Sequence, residues 1–138
     1  MKMNPVVHFE LPAKDKKRMV KFYSTVFGWQ TQILGPEMSE YVLVTTTESE
    51  QHPGMTGRPK NPGAINGGFY QSTDDPLSQY PSVVIAVDDI KESMKKAEEA
   101  GGKIHGKVEE IPGVGLFVSV IDTEGNRVSI LQPNNKAM

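Results

Sequence analysis

The sequence predicts an α+β fold built from two tandem βαβββ modules. Residues 8–29 can be superimposed on residues 82–103, so that a short apolar strand, an acidic residue, a helix of about three turns and a glycine occur twice in the same order. Strand-like runs follow each helix. A chain of 138 residues fits one compact domain, so the two copies, about residues 5–70 and 80–133, are expected to be modules of a single domain.

The first strand and helix are predicted from the spacing of their apolar residues. Residues 6–12 alternate between apolar and polar side chains, which places His8 and Glu10 together on the face opposite the apolar core. Asp15 is expected to be the N-cap of the following helix, whose apolar residues recur at helical spacing, and Gly28 is expected to end it.

The second helix repeats this pattern from Ile90 and is closed by Gly101 and Gly102. Lys16 occupies the position that Ile90 holds in the second copy. We therefore expect the aliphatic stem of Lys16 to lie along the core edge, with its amine in water.

The other strands are expected where β-forming residues lie between turn signals. They are Trp29–Leu34, Tyr41–Thr46, Ala64–Tyr70, Lys103–Val108, Leu116–Asp122 and Arg127–Gln132. Turn residues at Asp122–Asn126 predict a hairpin between the last two strands. The Pro- and Gly-rich stretch Thr47–Gly63 is expected to be a mobile lid or a disordered connection, and Gln71–Pro81 a linker between the modules.

Composition excludes several classes of function. The chain has no cysteine, so disulfides, thiol nucleophiles and thiolate metal ligands are absent. A net charge of −2 provides no global field to attract nucleic acid, and the basic run from Lys14 to Lys21 is interpreted as a solvated helix face. The sequence contains neither a membrane-length apolar stretch nor a signal-peptide core, which indicates a cytoplasmic protein with no membrane partner.

His8 and Glu10 are the first candidates for chemistry. Two residues apart on a strand, they lie about 7 Å from each other, close enough to share a pocket. A histidine and a carboxylate suit general acid–base catalysis or part of a metal site. The alternative is a histidine packed on a half-buried sheet with both nitrogens satisfied. His52 and His105 add no local chelating motif, because their spacing does not suit one.

Residues Gly67–Tyr70 form a second unusual segment. The two glycines could let a ligand or another backbone approach closely while the aromatic residues line a cavity. The alternative is a bulge or strong sheet curvature at the glycine pair.

Three segments together carry a family resemblance. They are the strand with His8, the helix end KFYSTVFGW at residues 21–29 and the hairpin DTEGNRVSILQP at residues 122–133. The chain resembles the vicinal oxygen chelate superfamily of glyoxalase I, bleomycin-resistance proteins and extradiol dioxygenases, and within it the small glyoxalase-like proteins with an Ile-Asn-Gly-Gly strand, here Ile65–Gly68. This resemblance implies two βαβββ modules whose curved mixed sheets surround a cleft, often completed across a homodimer.

The resemblance also implies where metal ligands would lie. Metal-dependent members take His, Gln or Glu ligands from the first and last strands of each module. His8 matches the first position, Gly67–Tyr70 contains the second, Ser82 matches the third, and Ser129 matches the fourth, where Gly-Asn-x-x-Glu hairpins supply a carboxylate. One strong ligand of four is a poor site for Zn²⁺, Ni²⁺ or Fe²⁺, so no metal cofactor is expected. Glyoxalase chemistry would also lack its base and its metal.

The leading hypothesis is a homodimer that binds a small organic molecule in the inter-module cleft without a metal. Its candidate catalytic pair is His8 and Glu10, and its candidate ligand-binding residues are Phe69, Tyr70, Ser82, Phe117, Ser119 and Ser129. The alternative is a lactoylglutathione-lyase-like lyase or isomerase, or a dioxygenase-related enzyme, with an atypical metal site around His8. A third reading is an interaction module without a ligand, favoured if Trp29, Phe69 and Phe117 pack together.

Overall fold

The computed structural model describes residues 2–48 and 61–134, which divide between two compact units. The N-terminal unit spans His8–Pro81, and the C-terminal unit comprises Met1–Val7 and Ser82–Met138. The residues before His8 are thus grouped with the second half of the chain, where the backbone N–H of Ala86 donates to the carbonyl of Pro5 at 2.9 Å. Residues 49–60, which make up most of the predicted Thr47–Gly63 loop and include His52, lie outside the described residues.

The N-terminal unit has the predicted βαβββ order. Its elements are β1 (Val6–Ala13, with its first two residues in the other unit), α1 (Lys16–Phe27), β2 (Gln30–Ile33), β3 (Val42–Thr45) and β4 (Asn66–Gln71). The strands are ordered β2-β3-β4-β1, with β1 parallel to β4 and the other neighbours antiparallel. This mixed sheet sets the register that positions His8 and Glu10.

Helix α1 begins and ends where the sequence predicts. The Asp15 carboxylate accepts a hydrogen bond from the Arg18 backbone N–H at 3.1 Å, and Gly28 adopts a left-handed conformation with φ 73°. The helix covers the apolar face of the sheet, where buried and half-buried side chains pack together. They are Ala13, Val42, Val44 and Phe69, with Phe9, Leu11, Met19, Val20, Tyr23 and Trp29 against them.

The C-terminal unit repeats this topology. Its elements are β5 (Ser82–Ala86), α2 (Ile90–Glu99), β6 (Lys103–Ile111), β7 (Gly115–Ile121) and β8 (Arg127–Pro133). The strands are ordered β5-β8-β7-β6, and β5 is parallel to β8 as β1 is to β4. The predicted α+β class and the two βαβββ modules are therefore confirmed. Among the residues that the structure describes, neither helix has the length and apolarity needed to span a membrane.

The structure corrects the expectation for Lys16. Its ammonium is not simply solvated, because Nζ donates to the backbone carbonyls of Ser39 at 3.1 Å and Glu40 at 2.9 Å. These carbonyls lie between a short 3₁₀ turn (Pro36–Met38) and β3. Lys16 thus ties the start of α1 to the segment that leads into β3.

Candidate functional site

Three polar side chains meet on the sheet face of the N-terminal unit opposite α1. His8 and Glu10 project from β1, and their side chains are joined by the phenol of Tyr41, the residue before β3. The Tyr41 hydroxyl lies 3.0 Å from His8 Nε2 and donates to Glu10 Oε2 at 3.3 Å. We call these residues the polar triad. His8 and Glu10 are 1% and 7% exposed, so the triad is a buried network. Leaving any of its polar atoms without a hydrogen-bond partner would cost much folding free energy.

Gly68 provides the space in which the Tyr41 phenol lies. In the strand register Gly68 pairs with Glu10 on one side and Leu43 on the other. A Cβ atom at Gly68 would overlap the Tyr41 hydroxyl and ring, so any side chain there would displace the phenol. Gly67 makes similar room for the Phe9 ring.

The glycine pair therefore admits two side chains of the protein itself, where the sequence had suggested a ligand or another backbone. The register with β1 and β3 continues unbroken through both glycines, so no bulge occurs there.

Burial controls the charge state of the polar triad. It lowers the pKa of His8 from 6.5 to about 4, because the imidazolium form would lose its hydration. Burial also raises the pKa of Tyr41, and the negative charge of Glu10 and its hydrogen bond to the phenol raise it further. At neutral pH His8 is therefore an uncharged imidazole and Tyr41 keeps its proton.

This network determines which nitrogen of His8 carries the proton. Tyr41 has one hydroxyl proton, which stays on the phenol and is donated in the hydrogen bond to the Glu10 carboxylate, a group that can only accept. His8 Nε2 must then be protonated and donate to the Tyr41 oxygen, which leaves Nδ1 as a bare acceptor. Nδ1 is buried and has no hydrogen-bond partner among the described residues. Within residues 2–48 and 61–134, His8 is therefore not the fully satisfied core histidine that the sequence left open.

Comparison with known proteins identifies the family. The family model of the Glyoxalase/Bleomycin resistance protein/Dioxygenase superfamily matches residues 6–130. The chain belongs to this superfamily. A Didymella fabae protein described as a glyoxylase-like domain-containing protein is 29% identical over 126 residues, which are 88% of each chain.

Solved structures share the fold at low sequence identity. A variant of Streptomyces coelicolor methylmalonyl-CoA epimerase in complex with 2-nitronate-propionyl-CoA has a TM-score of 0.66 at 9% identity, covering 97% of this chain and all (100%) of the epimerase chain. A hypothetical protein from Bacillus halodurans has a TM-score of 0.67 at 12% identity over 99% of both chains. At these identities the likeness shows the fold alone.

The register of the two units relates the superfamily's metal positions to each other. Glu10 pairs with Gly68 in one unit, and Val84 pairs with Ser129 in the other. Since the repeat superimposes Glu10 on Val84, Gly68 is the counterpart of Ser129. Within the segment Gly67–Tyr70, which the resemblance implies for the second ligand, Gly68 is thus the residue that matches Ser129, and the Tyr41 phenol lies over it.

The donor atoms of the polar triad do not fit a superfamily metal centre. Residues 2–48 and 61–134 contain no group of three or more His, Cys, Asp or Glu side chains able to hold a metal ion. In the polar triad itself, His8 can offer a metal only the lone pair of Nδ1, because Nε2–H donates to Tyr41, and the raised pKa of Tyr41 opposes the phenolate form that a metal would need. We therefore derive no chemistry through a metal.

Two residues predicted to bind ligand lie on opposite faces of β4. Phe69 is fully buried (0% exposed) in the apolar core and contacts the Tyr23 ring at a centroid distance of 5.4 Å. This placement corrects the sequence-based assignment, because the Phe69 side chain points away from the polar triad. Tyr70 lies on the same sheet face as the polar triad, and its hydroxyl donates to the Tyr80 carbonyl at 2.7 Å.

The other predicted residues lie in the C-terminal unit and share one face of its sheet. Ser119 and Ser129 are paired across β7 and β8, with their hydroxyls 3.3 Å apart, and Phe117 follows on the same face of β7. Ser82 donates to the Arg127 carbonyl at 2.9 Å. Alternation along the strands therefore brings these four side chains to one face, and their role in ligand binding stays a prediction.

Sequence reasoning did not identify Tyr41 as a site residue. The signal that could have found it is the glycine pair, since a glycine inside a strand marks close approach by another group. A separate surface groove of about 960 Å³ lies where β1 leads into α1, near Arg18, Phe22 and Tyr80. Its lining includes no member of the polar triad, so we do not assign it to the same site.

Proposed function

We propose that this superfamily member binds a small organic molecule at the polar triad without a metal ion. One observation carries the proposal: His8 Nδ1 is a buried acceptor with no partner among the described residues. A buried polar atom without a hydrogen bond costs roughly 1–3 kcal/mol, so native proteins rarely keep one without a reason. A ligand that offers a hydroxyl or N–H group to Nδ1 would remove this penalty.

The charge state of His8 supports binding over catalysis. With a pKa of about 4, the imidazole is protonated in roughly one molecule in a thousand at pH 7, so it acts there as an acceptor. A general base works best with a pKa near the operating pH, and His8 is far below it. Because His8 is only 1% exposed, ligand entry requires the groups that cover it to move.

A lyase or isomerase activity is the second candidate, favoured by the continuous hydrogen bonding from Glu10 through Tyr41 to His8. In this reading His8 Nδ1 takes a proton from the substrate while the Nε2 proton moves toward Tyr41. The low pKa of His8 makes this proton transfer unfavourable without a metal to stabilise the resulting carbanion.

The binding proposal is tested with a fragment library of small alcohols, amides and amines. Chemical shifts of the ¹⁵N-labelled protein are recorded for the wild type, His8→Gln and the control His105→Gln, which changes a histidine of the C-terminal unit. We expect at least one fragment class to shift signals around β1 and β3, and the shift to be lost in His8→Gln only. Fragment binding that is identical in all three proteins would refute the proposal.

The catalytic candidate needs a separate assay. Turnover of a hemithioacetal is measured with the wild type and with Glu10→Gln, before and after removal of divalent metals. Turnover that survives chelation and is lost in Glu10→Gln would favour a lyase or isomerase over simple binding. The homodimer expected from the resemblance also stays a proposal, and sedimentation equilibrium measures it directly.

A further inference from the structure

Lys16 makes contacts that its counterpart in the repeat does not make. Ile90, the corresponding residue of α2, is 1% exposed and packs in the core of the C-terminal unit. Lys16 instead extends its ammonium to the Ser39 and Glu40 carbonyls at 3.1 and 2.9 Å. The first residue of α1 thus makes a polar contact with the segment before β3, whereas the first residue of α2 makes a core contact.

The two carbonyls belong to residues in an unusual backbone conformation. Ser39 and Glu40 have φ of 55° and 53° and are the two non-glycine residues with positive φ among those described. Side chains disfavour this left-handed region, so consecutive residues persist there only when surrounding contacts hold them. Backbone bonds from Ser39 N–H to the Pro36 carbonyl and from Glu40 N–H to the Gly35 carbonyl supply part of that hold. The Lys16 ammonium adds two charge-assisted hydrogen bonds to the carbonyls of these same two residues.

This turn leads directly into Tyr41. The Tyr41 N–H donates to the Met38 carbonyl at 3.1 Å, and the Tyr41 carbonyl accepts from Leu34 N–H at 2.8 Å. The backbone of Tyr41 is therefore fixed from both sides, and its phenol must enter the narrow space over Gly68 from this position. A small rotation at Ser39 or Glu40 would move the hydroxyl out of reach of its partners.

We infer that Lys16 is a positioning residue for the polar triad, because its ammonium holds the turn from which Tyr41 bridges His8 and Glu10. Its relevance to ligand binding rests on the proposed function. The positioning itself is a property of the unliganded protein. The positioning role of Lys16 and the proposed ligand binding can therefore be refuted separately.

The test reads the tautomer of His8. With Tyr41 in place, Nε2 alone carries the proton, so the two ring ¹⁵N resonances of His8 are widely separated at pH 7. Without the phenol both tautomers form, and the two resonances move toward their average. Substitution at Lys16 leaves in place the titratable groups of the polar triad, Glu10 and Tyr41, and also Tyr70, which acts electrostatically on Tyr41.

Three variants are compared with the wild type by long-range ¹H–¹⁵N spectra of the histidine rings. Lys16→Met keeps the stem and removes the ammonium, and we expect the His8 resonances to converge. Lys16→Arg keeps the hydrogen-bond donors and the positive charge, so the two His8 ring ¹⁵N resonances are expected to stay widely separated. Lys17→Met, which changes the exposed neighbour, is expected to leave the His8 signals unchanged. Where Lys16→Met destabilises the fold, Lys16→Gln carries the same test, since its shorter stem is polar but uncharged.

Combination with Tyr41→Phe separates positioning from general stability. Tyr41→Phe removes the hydroxyl, so it should converge the His8 resonances by itself. Adding Lys16→Met should then cause no further shift, because both changes act on the same contact. Wild-type His8 resonances in folded Lys16→Met, or additive shifts in the double variant, would overturn the inference.

Discussion

Substitution of Gly68 by alanine tests the geometry of the polar triad most severely. The added Cβ would overlap the Tyr41 phenol, which must leave its place between His8 and Glu10. Two hydrogen bonds are lost, at about 1 kcal/mol each, and the buried Nε2–H of His8 is left without an acceptor, at roughly 1–3 kcal/mol. Alanine recovers about 0.4–1 kcal/mol through the unfolded state. We expect Gly68→Ala to lower the free energy of unfolding by roughly 2–5 kcal/mol.

The assay is urea unfolding followed by circular dichroism, with Gly35→Ala as the matched control. Gly35 has an extended backbone, and a Cβ there would meet only the end of the exposed Glu37 side chain, so we expect a change within about 0.5 kcal/mol. In a Tyr41→Ala background Gly68→Ala should cost much less, because the overlap is gone. The reasoning is refuted if Gly68→Ala is as stable as Gly35→Ala, or if its cost is the same in both backgrounds.

Three further predictions concern stability. Tyr41→Phe loses the same two hydrogen bonds and leaves the same His8 N–H without an acceptor, so it should lower the free energy of unfolding by about 3–5 kcal/mol; no change is expected if the phenol were solvated. Burial lowers the pKa of His8 from 6.5 to about 4, so as the pH falls the imidazole of the unfolded chain is protonated before that of the folded protein. The free energy of unfolding should therefore decrease as the pH drops from 6.5 towards 4. Between pH 7 and 5 the free energy of unfolding should fall by about 2 kcal/mol. Urea midpoints measured at the two pH values should show this fall in the wild type and in His105→Gln, and no such fall in His8→Gln. Removal of the helix caps, Asp15→Ala or Asp89→Ala, should cost about 1 kcal/mol each, because both carboxylates accept a backbone N–H at 3.1 Å; unequal thermal shifts would contradict their equivalence.

Local features of the sequence were sufficient to predict the helices and strands. Asp15 and Gly28 act within one helical turn of their own positions, so the bounds of α1 follow from neighbouring residues. The placement of His8 and Glu10 on one face follows from the period of a strand. The same period would have separated Phe69 from Tyr70, since adjacent residues of one strand face opposite sides. Assigning both to a single binding surface overlooked that constraint.

The contact between Tyr41 and the polar residues of β1 depends on long-range register. Tyr41 is 33 residues from His8 and 31 from Glu10 in the chain, and the sheet brings them together only because β4 pairs with both β1 and β3. Pairing of strands this far apart in the chain is a non-local contact, which no pattern within one strand encodes. The role of Lys16 is hidden for the same reason, because its acceptors are backbone carbonyls 23 and 24 residues away.

Titration of the metal-free protein with Zn²⁺, monitored by the ring ¹⁵N resonances of His8, tests the central claim most directly. If the Tyr41 phenol occupies the place of a metal ligand, the wild type should show a single Nε2–H tautomer that equimolar Zn²⁺ does not change. Selective shifts or broadening of the His8 resonances at equimolar Zn²⁺ would instead show a metal site at the polar triad and contradict the account.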